Sequence, residues 1–380
     1  MNKKYKKDNS ADTYDVLEEL HRAISDIRRG SPIVISDAQT SILVCAAEIA
    51  DSAFSRLTKY PNIGKISLAM TGRRASILGL GPSDSAVAVI TQQQPINIDI
   101  VTELINSSKI HKESNLTKML TAISKPSSSL EHAAVYLTKK ARLLPAVIFS
   151  EITSKNGQHW AQHNRRTHIT AESVFEYDTT AANTLEAISE APIPLENSEH
   201  TRIIAFRSKT GGSEHIAIVV GNLNAGEPTL TRIHSECFTG DLLGSLKCDC
   251  GDQLRGAIKL IAEHKNGVLL YLDQEGRGIG LINKLRAYKL QEDGFDTIDA
   301  NEQLGFENDE RIYIPAAEIL KKLGVKKIKL LTNNPSKVSA LARHGITITE
   351  RVPHVFPANK HNFSYLQTKA DRAGHIIRDS

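Results

Sequence analysis

No stretch of this chain approaches the roughly 20 consecutive apolar residues that a membrane-spanning helix needs, so a membrane partner is not expected. Charge of one sign is also missing: 47 Lys and Arg face 43 Asp and Glu, leaving a formal net charge of +4. That balance gives no broad field for nucleic acid, and a small anionic ligand would have to rely on local basic residues. Internal repeats and low-complexity tracts are absent, which excludes solenoids and disordered linkers. The opening MNKKYKKDNS is basic, but no apolar h-region follows it. It reads as a solvated tail and not as a signal peptide, and the expected location is cytoplasmic. Cysteine is scarce, with four in 380 residues, too few for a disulfide scaffold.

Three of those four, Cys237, Cys248 and Cys250, fall within a short segment spaced C-x10-C-x-C. In a reducing compartment such clustering favours metal binding over disulfides. Three soft thiolates converging from a loop suit zinc, at about 2.3 Å per sulfur. A structural zinc takes four protein ligands, whereas a catalytic one keeps a position for water. Spacing alone leaves alternatives open: His234 could close a structural Cys3His shell, or the three thiols could simply pack as small hydrophobes.

A chain of 380 residues suits two domains of roughly 100–200 residues each. Apolar residues at Leu17, Leu20, Ile24 and Ile27 predict a helix over Tyr14–Arg29, stopped at Gly30. A strand is expected at Pro32–Ser36, then a mixture of short apolar runs (Ala86–Thr91, Ala146–Ile152) and helical patterns (His132–Lys140). Pro192 and Pro194 break the pattern in Glu190–His200, so the boundary is placed there, giving domains 1–195 and 196–380. Beyond it, Thr201–Phe206 and His215–Val220 predict a hairpin around Lys209-Thr-Gly-Gly. Gln253–Glu263 and Ile282–Glu292 read as helices, Gly267–Leu272 and Lys327–Thr332 as strands. The expected fold class is α/β (α+β): two domains, each a mixed sheet with flanking helices.

The residues around the cysteines carry a resemblance. Arg232-Ile-His-Ser-Glu-Cys237-Phe-Thr-Gly-Asp241, then Gly-Ser-Leu-Lys-Cys248-Asp-Cys250-Gly-Asp-Gln253, resembles the signature of GTP cyclohydrolase II. The likeness continues in order through Asp273-Gln-Glu-Gly-Arg-Gly-Ile-Gly280, Tyr288, Thr297, Asn301 to Arg311, and Leu331-Thr-Asn-Asn-Pro-Ser-Lys337. Alone, the glycine-rich segment would read as a turn, Asp309 and Arg311 as a surface ion pair, and Tyr288 as packing.

The resemblance implies one zinc per subunit on Cys237, Cys248 and Cys250, whose bound water attacks C8 of guanine and releases that carbon as formate. It implies Arg311 as a nucleophile at the α-phosphate that displaces pyrophosphate, with Asp309 as proton acceptor and Tyr288 acting near ring opening. A guanidinium is protonated up to a pKa above about 12, so the arginine step needs such an acceptor. Substrate binding is implied for Arg232, Ile233, His234, Ser235, Glu236, Gln253, Glu275, Gly276, Arg277, Thr297, Thr332 and Lys337. Arg277 and Lys337 suit triphosphate oxygens, and Asn333-Asn334-Pro335 predicts a helix start that could receive an anion. The implied substrate is GTP with magnesium on its triphosphate, the products 2,5-diamino-6-ribosylamino-4(3H)-pyrimidinone 5′-phosphate, formate and pyrophosphate, and the assembly a homodimer.

The first half resembles 3,4-dihydroxy-2-butanone 4-phosphate synthase at Arg29-Gly-Ser-Pro-Ile-Val-Ile-Ser-Asp37, Ala46-Ala-Glu48, Ala133-Ala-Val-Tyr-Leu137 and Pro145-Ala-Val-Ile-Phe-Ser-Glu151-Ile. That family's acidic D-R-E-N-E loop is replaced by Ala38-Gln-Thr-Ser-Ile-Leu-Val. In its G-H-T-E-A segment the His becomes Leu130 and the Glu becomes His132. Magnesium needs hard oxygen ligands, so this half is expected to make no dihydroxybutanone phosphate. The competing expectations are a bifunctional enzyme with a rebuilt synthase site, and a non-catalytic nucleotide sensor with a structural zinc.

Overall fold

Leu17, Leu20, Ala23 and Ile27 repeat at helical spacing, and in the computed structural model they line the buried face of a helix over Asn9–Arg28. Gly30, at φ 77°, turns the chain out of it. The structure describes residues 9–92, 96–106, 116–224, 226–363, 367–368 and 371–372. Most of the basic tail read from the sequence lies outside these. The described chain forms two compact units, one of residues 1–180 with 285–308, the other of residues 181–284 with 309–380. No described helix is long and apolar enough to cross a membrane.

Among its described residues the first unit holds seven strands: β1 (Ile33–Ser36), β2 (Ser41–Ala46), β3 (Ser67–Thr71), β4 (Val87–Thr91), β5 (Thr121–Lys125), β6 (Ala146–Glu151) and β7 (His168–Thr170). They run in the order β5-β4-β3-β6-β2-β1-β7, antiparallel except for β1 beside β7. β1, β2 and most of β6 are buried runs, which explains why they read as apolar stretches without alternation. Residues 285–308 join this unit through Arg74, a buried side chain donating to the carbonyls of Leu104 at 2.9 Å and Gln303 at 2.8 Å. Thr71 Oγ1 donates to the Gly305 carbonyl at 2.8 Å, and Arg286 pairs with Glu48 at 2.7 Å.

The second unit holds β8 (Leu185–Pro192), β9 (Thr201–Ser208), β10 (Gly211–Val220), β11 (Thr229–Ser235), β12 (Gly267–Leu272), β13 (Lys327–Leu331) and β14 (Thr347–Val352). Their order is β14-β13-β11-β12-β10-β9-β8. β8, β9, β10 and β12 pair antiparallel, while β12, β11, β13 and β14 pair parallel. The mixed sheet follows the expectation, as does the hairpin of β9 and β10. The stretch Glu190–His200, expected as a boundary, is the end and loop of the β8–β9 hairpin. Prolines are tolerated at the end of an edge strand, so they marked a strand terminus. The compact units part between Thr180 and Ala181.

Candidate active site

In the second unit three parallel strands, β12, β11 and β13, end side by side, and the carboxyl ends of such strands are where open α/β sheets place their ligands. The segments that leave those ends are Glu236 to Asp241, Asp273 to Gly278, and Thr332 to Asn334. They are the segments singled out in the sequence.

Cys237 follows β11 and opens a single π-type turn over Phe238–Leu242. Cys248 and Cys250 approach from the other end of the loop, Cys250 at the first position of a helix over Cys250–Glu263, and the neighbouring thiols of Cys237 and Cys248, with burial, raise its pKa well above the usual thiol value. The three Sγ atoms lie within 4.8 Å of one another, with Cys237 and Cys248 sulfurs 3.8 Å apart. Two sulfurs on a tetrahedral zinc, at about 2.3 Å each, stand about 3.8 Å apart, so the donor set fits that ion. Glycines permit the closeness: a Cβ on Gly240 would lie 2.8 Å from the Cys248 sulfur, and one on Gly251 would lie 2.4 Å from the Gly240 carbonyl oxygen.

The sequence left open whether His234 is a fourth ligand. Its Nε2 faces both carboxylate oxygens of Asp241 at 3.1 Å. Burial holds its pKa below the usual value against the opposing pull of Asp241, so a neutral ring donates to the carboxylate. Asp241 also accepts from the Cys237 amide at 3.0 Å and the Tyr271 hydroxyl at 3.0 Å, and Tyr271 stacks on the imidazole. Among the described residues the metal-type cluster contains the three cysteines alone.

Lys284 was not anticipated. Its buried ammonium donates to the Cys237 sulfur at 3.1 Å, to Thr239 Oγ1 at 2.9 Å and to Glu275 Oε1 at 2.9 Å. Contacts from Cys248 and Cys250, then the Lys284 charge, hold the Cys237 thiol far below the thiol range, while sharing with that thiolate pushes Cys248 up to about 11. Glu275 accepts from the amides of Phe238 at 2.6 Å and Gly276 at 2.8 Å. Its carboxylate therefore braces the cysteine loop. No periodicity marks Lys284; only its buried position shows the role.

Gly276 and Arg277 follow at φ 63° and 60°, a left-handed pair that strains a non-glycine residue. The Arg277 carbonyl accepts from the Glu310 amide at 3.1 Å, tying this turn to Asp309 and Arg311. Arg311 donates through Nε to Asp309 Oδ1 at 2.7 Å and through a terminal nitrogen to Oδ2. Burial would raise the Asp309 pKa, but the charge and bonds of Arg311, with help from Arg277, bring it below its usual value. The expected nucleophile and proton acceptor are thus in bidentate contact.

The remaining expected residues take stated positions. Arg232, buried on β11, donates to the Leu331 carbonyl at 2.8 Å and to Gln253 Oε1, while Gln253 donates onward to Asp249. Burial lowers its pKa to about 10. Ile233 points into the core, and its carbonyl accepts from Lys337 Nζ at 3.1 Å. The Ser235 hydroxyl is buried without a partner among the described residues, and the Glu236 amide donates to Leu272. Thr332 Oγ1 accepts from the Asn334 amide at 3.1 Å, and Asn334 caps the helix Pro335–Arg343 as expected. Tyr288 and Thr297 fall within residues 285–308 and belong to the first unit. Tyr288 lies on the helix Leu281–Glu292, one turn beyond Lys284; Thr297 opens a helix capped by Asp296.

A family model described as GTP cyclohydrolase II matches residues 186–353. A GTP cyclohydrolase-2 from Azospirillum brasilense is 47% identical over 365 residues, covering 95% of this chain and 94% of that one. The riboflavin biosynthesis protein RibBA from Phocaeicola vulgatus is 33% identical, covering 95% and 98% respectively. The RibBA of a Synechocystis species is 35% identical, over 95% of this chain and 72% of its own length. A solved two-domain 3,4-dihydroxy-2-butanone 4-phosphate synthase from A. baumannii is similar over 87% of this chain and 99% of its own at 16% identity and a TM-score of 0.34. With three thiols converging where parallel strands end, and relatives matching nearly the whole length, this chain belongs to the GTP cyclohydrolase II family, hydrolases of riboflavin biosynthesis.

Proposed function

We propose that the chain is a zinc-dependent GTP cyclohydrolase II that converts GTP to 2,5-diamino-6-ribosylamino-4(3H)-pyrimidinone 5′-phosphate, formate and pyrophosphate, the first step of riboflavin synthesis. The observation that carries this reading is the three-thiol cluster with no fourth protein ligand among the described residues. Cys237, Cys248 and Cys250 would hold the ion, and zinc, when bound, makes a nucleophile of water near neutral pH.

The chain's own residues supply the rest. Lys284 offsets thiolate charge, and Glu275 holds the amides of Phe238 and Gly276 so that the cysteine loop keeps its form. Asp309 grips the Arg311 guanidinium at two nitrogens, which orients it and places a carboxylate where a proton must go if Arg311 attacks the α-phosphate. Arg277 and Lys337 add positive charge for the triphosphate, and magnesium would travel with that substrate. Tyr288 and Thr297 are assigned to the reaction and to substrate binding by family pattern, as is assembly into a homodimer.

The test is incubation of zinc-loaded protein with GTP and magnesium, beside Cys248→Ser. Wild type should release formate and pyrophosphate, and the variant should lose formate while binding less zinc. Wild type that binds zinc but releases neither product would overturn the cyclohydrolase reading and support the nucleotide sensor instead.

A further inference from the structure

Tyr313 lies two residues beyond Arg311 and was not singled out in the sequence. Its ring belongs to the second unit's core, alongside Ile233, Ala317 and Leu330, and the residue is 8% exposed. A core position needs only the ring. The hydroxyl is buried with no hydrogen-bond partner among the described residues, and a desolvated donor left unmade is costly.

The charges around it are Arg311, Asp309, Arg277 and Arg232, and the Lys337 ammonium stands 5.9 Å from its ring centre. Three guanidiniums and an ammonium thus lie near the ring together with the Asp309 carboxylate, a setting that suits an anion. The segment is also pinned: Gln274 donates through Nε2 to the Ile312 carbonyl at 2.7 Å. A second buried donor, Arg232 Nε, likewise has no partner among the described residues.

We propose that Tyr313 is a nucleotide-binding residue whose hydroxyl donates to a phosphate oxygen of the substrate, beside the Arg311 guanidinium. This rests on the GTP reading above and deepens it. Burial raises the phenol's pKa, so the group stays protonated and remains a donor. A phenylalanine here would fill the same core and leave the phosphate one donor short.

Tyr313→Phe tests this because it removes one oxygen and keeps the ring. Calorimetric titrations of the zinc-loaded full chain would use guanosine α,β-methylene triphosphate and, separately, guanosine. The variant should bind the triphosphate about tenfold more weakly or worse, as expected for a lost hydrogen bond to a charged acceptor. Guanosine binding should not change, and the ligand-free melting temperature should hold or rise because an unsatisfied group has gone. Equal affinity of both proteins for the triphosphate would overturn the proposal and leave the cyclohydrolase reading intact. Equal weakening toward both ligands with a lowered melting temperature would also overturn it, as a packing effect. Wild type that binds neither ligand would remove the GTP reading and this proposal together.

Discussion

A side chain of one atom governs the geometry of the three-thiol cluster. Gly240 sits where three cysteines meet, and a methyl group there would lie 2.8 Å from the Cys248 sulfur, 3.0 Å from the Cys250 Cβ and 3.1 Å from the Cys237 sulfur. Gly240 also donates its amide to the Cys237 sulfur at 3.4 Å, so neither backbone nor sulfurs can retreat freely. Overpacking of this kind costs roughly 1–3 kcal/mol, and at about 1.4 kcal/mol per tenfold Gly240→Ala should weaken zinc binding about ten- to a hundredfold. Competition against a chromophoric chelator measures this directly, and unchanged affinity would show that the sulfurs are not held as described. The Lys284–Glu275 pair acts at the same scale in a different way. Both groups are buried, and a buried ion pair is unforgiving of losing one member. Glycine spacing and a lysine in a helix pattern are common in any sequence, so the cysteines and Glu275 were legible while the parts played by Gly240 and Lys284 were not.

At the scale of elements, β10 supports the site from behind. His215 on that strand is 5% exposed, and its Nδ1 accepts from the Asp273 amide at 3.2 Å, where β12 gives way to the strained turn. Burial lowers the His215 pKa to about 4 despite the nearby Asp273 carboxylate. In the unfolded chain a histidine titrates near about 6.5, so the unfolded state binds the proton more readily between those values. The stability from a neutral His215 is fully present above pH ~6.5 and is lost as pH falls toward about 4, by roughly 3 kcal/mol. His354, also lowered to about 4 and bonded through Nε2 to the Gln253 carbonyl at 2.8 Å, adds to the same limb. Asn at 215 can keep an acceptor without titrating, so His215→Asn should flatten the fall of the urea midpoint across that window. A slope equal to wild type would contradict the assignment. Elements with their own punctuation were readable: Gly30 marks a helix end, and the β9–β10 hairpin was plain from its Gly-Gly turn. β8 was not, because its exposed face and terminal prolines leave an edge strand without apolar alternation.

Across the whole chain, the order of residues conceals which sheet they serve. Residues 285–308 lie deep in the second half of the sequence yet belong to the first unit, held by polar contacts to Arg74, Thr71 and Glu48. Hydrophobic patterning cannot reveal such pairing, since the bonds run to backbone carbonyls and one carboxylate far away in sequence. The same unit shows what has become of the synthase-like pattern. Asp37 accepts from the amides of Gln39 at 2.8 Å and Thr40 at 2.7 Å, closing a tight turn between β1 and β2. Every residue of β2, where the family's acidic loop would continue, is buried, and Leu130 is 5% exposed in place of a metal-binding histidine. Glu48 is occupied by the Leu144 amide at 2.8 Å and by Arg286. Carboxylates that cap turns and hold arginines are poor magnesium ligands and poor bases. The full chain incubated with ribulose 5-phosphate and magnesium, without GTP, should therefore release no formate, while the same preparation releases formate from GTP. Formate from the sugar phosphate, lost on Glu151→Gln, would instead mean a second active site rebuilt from other residues.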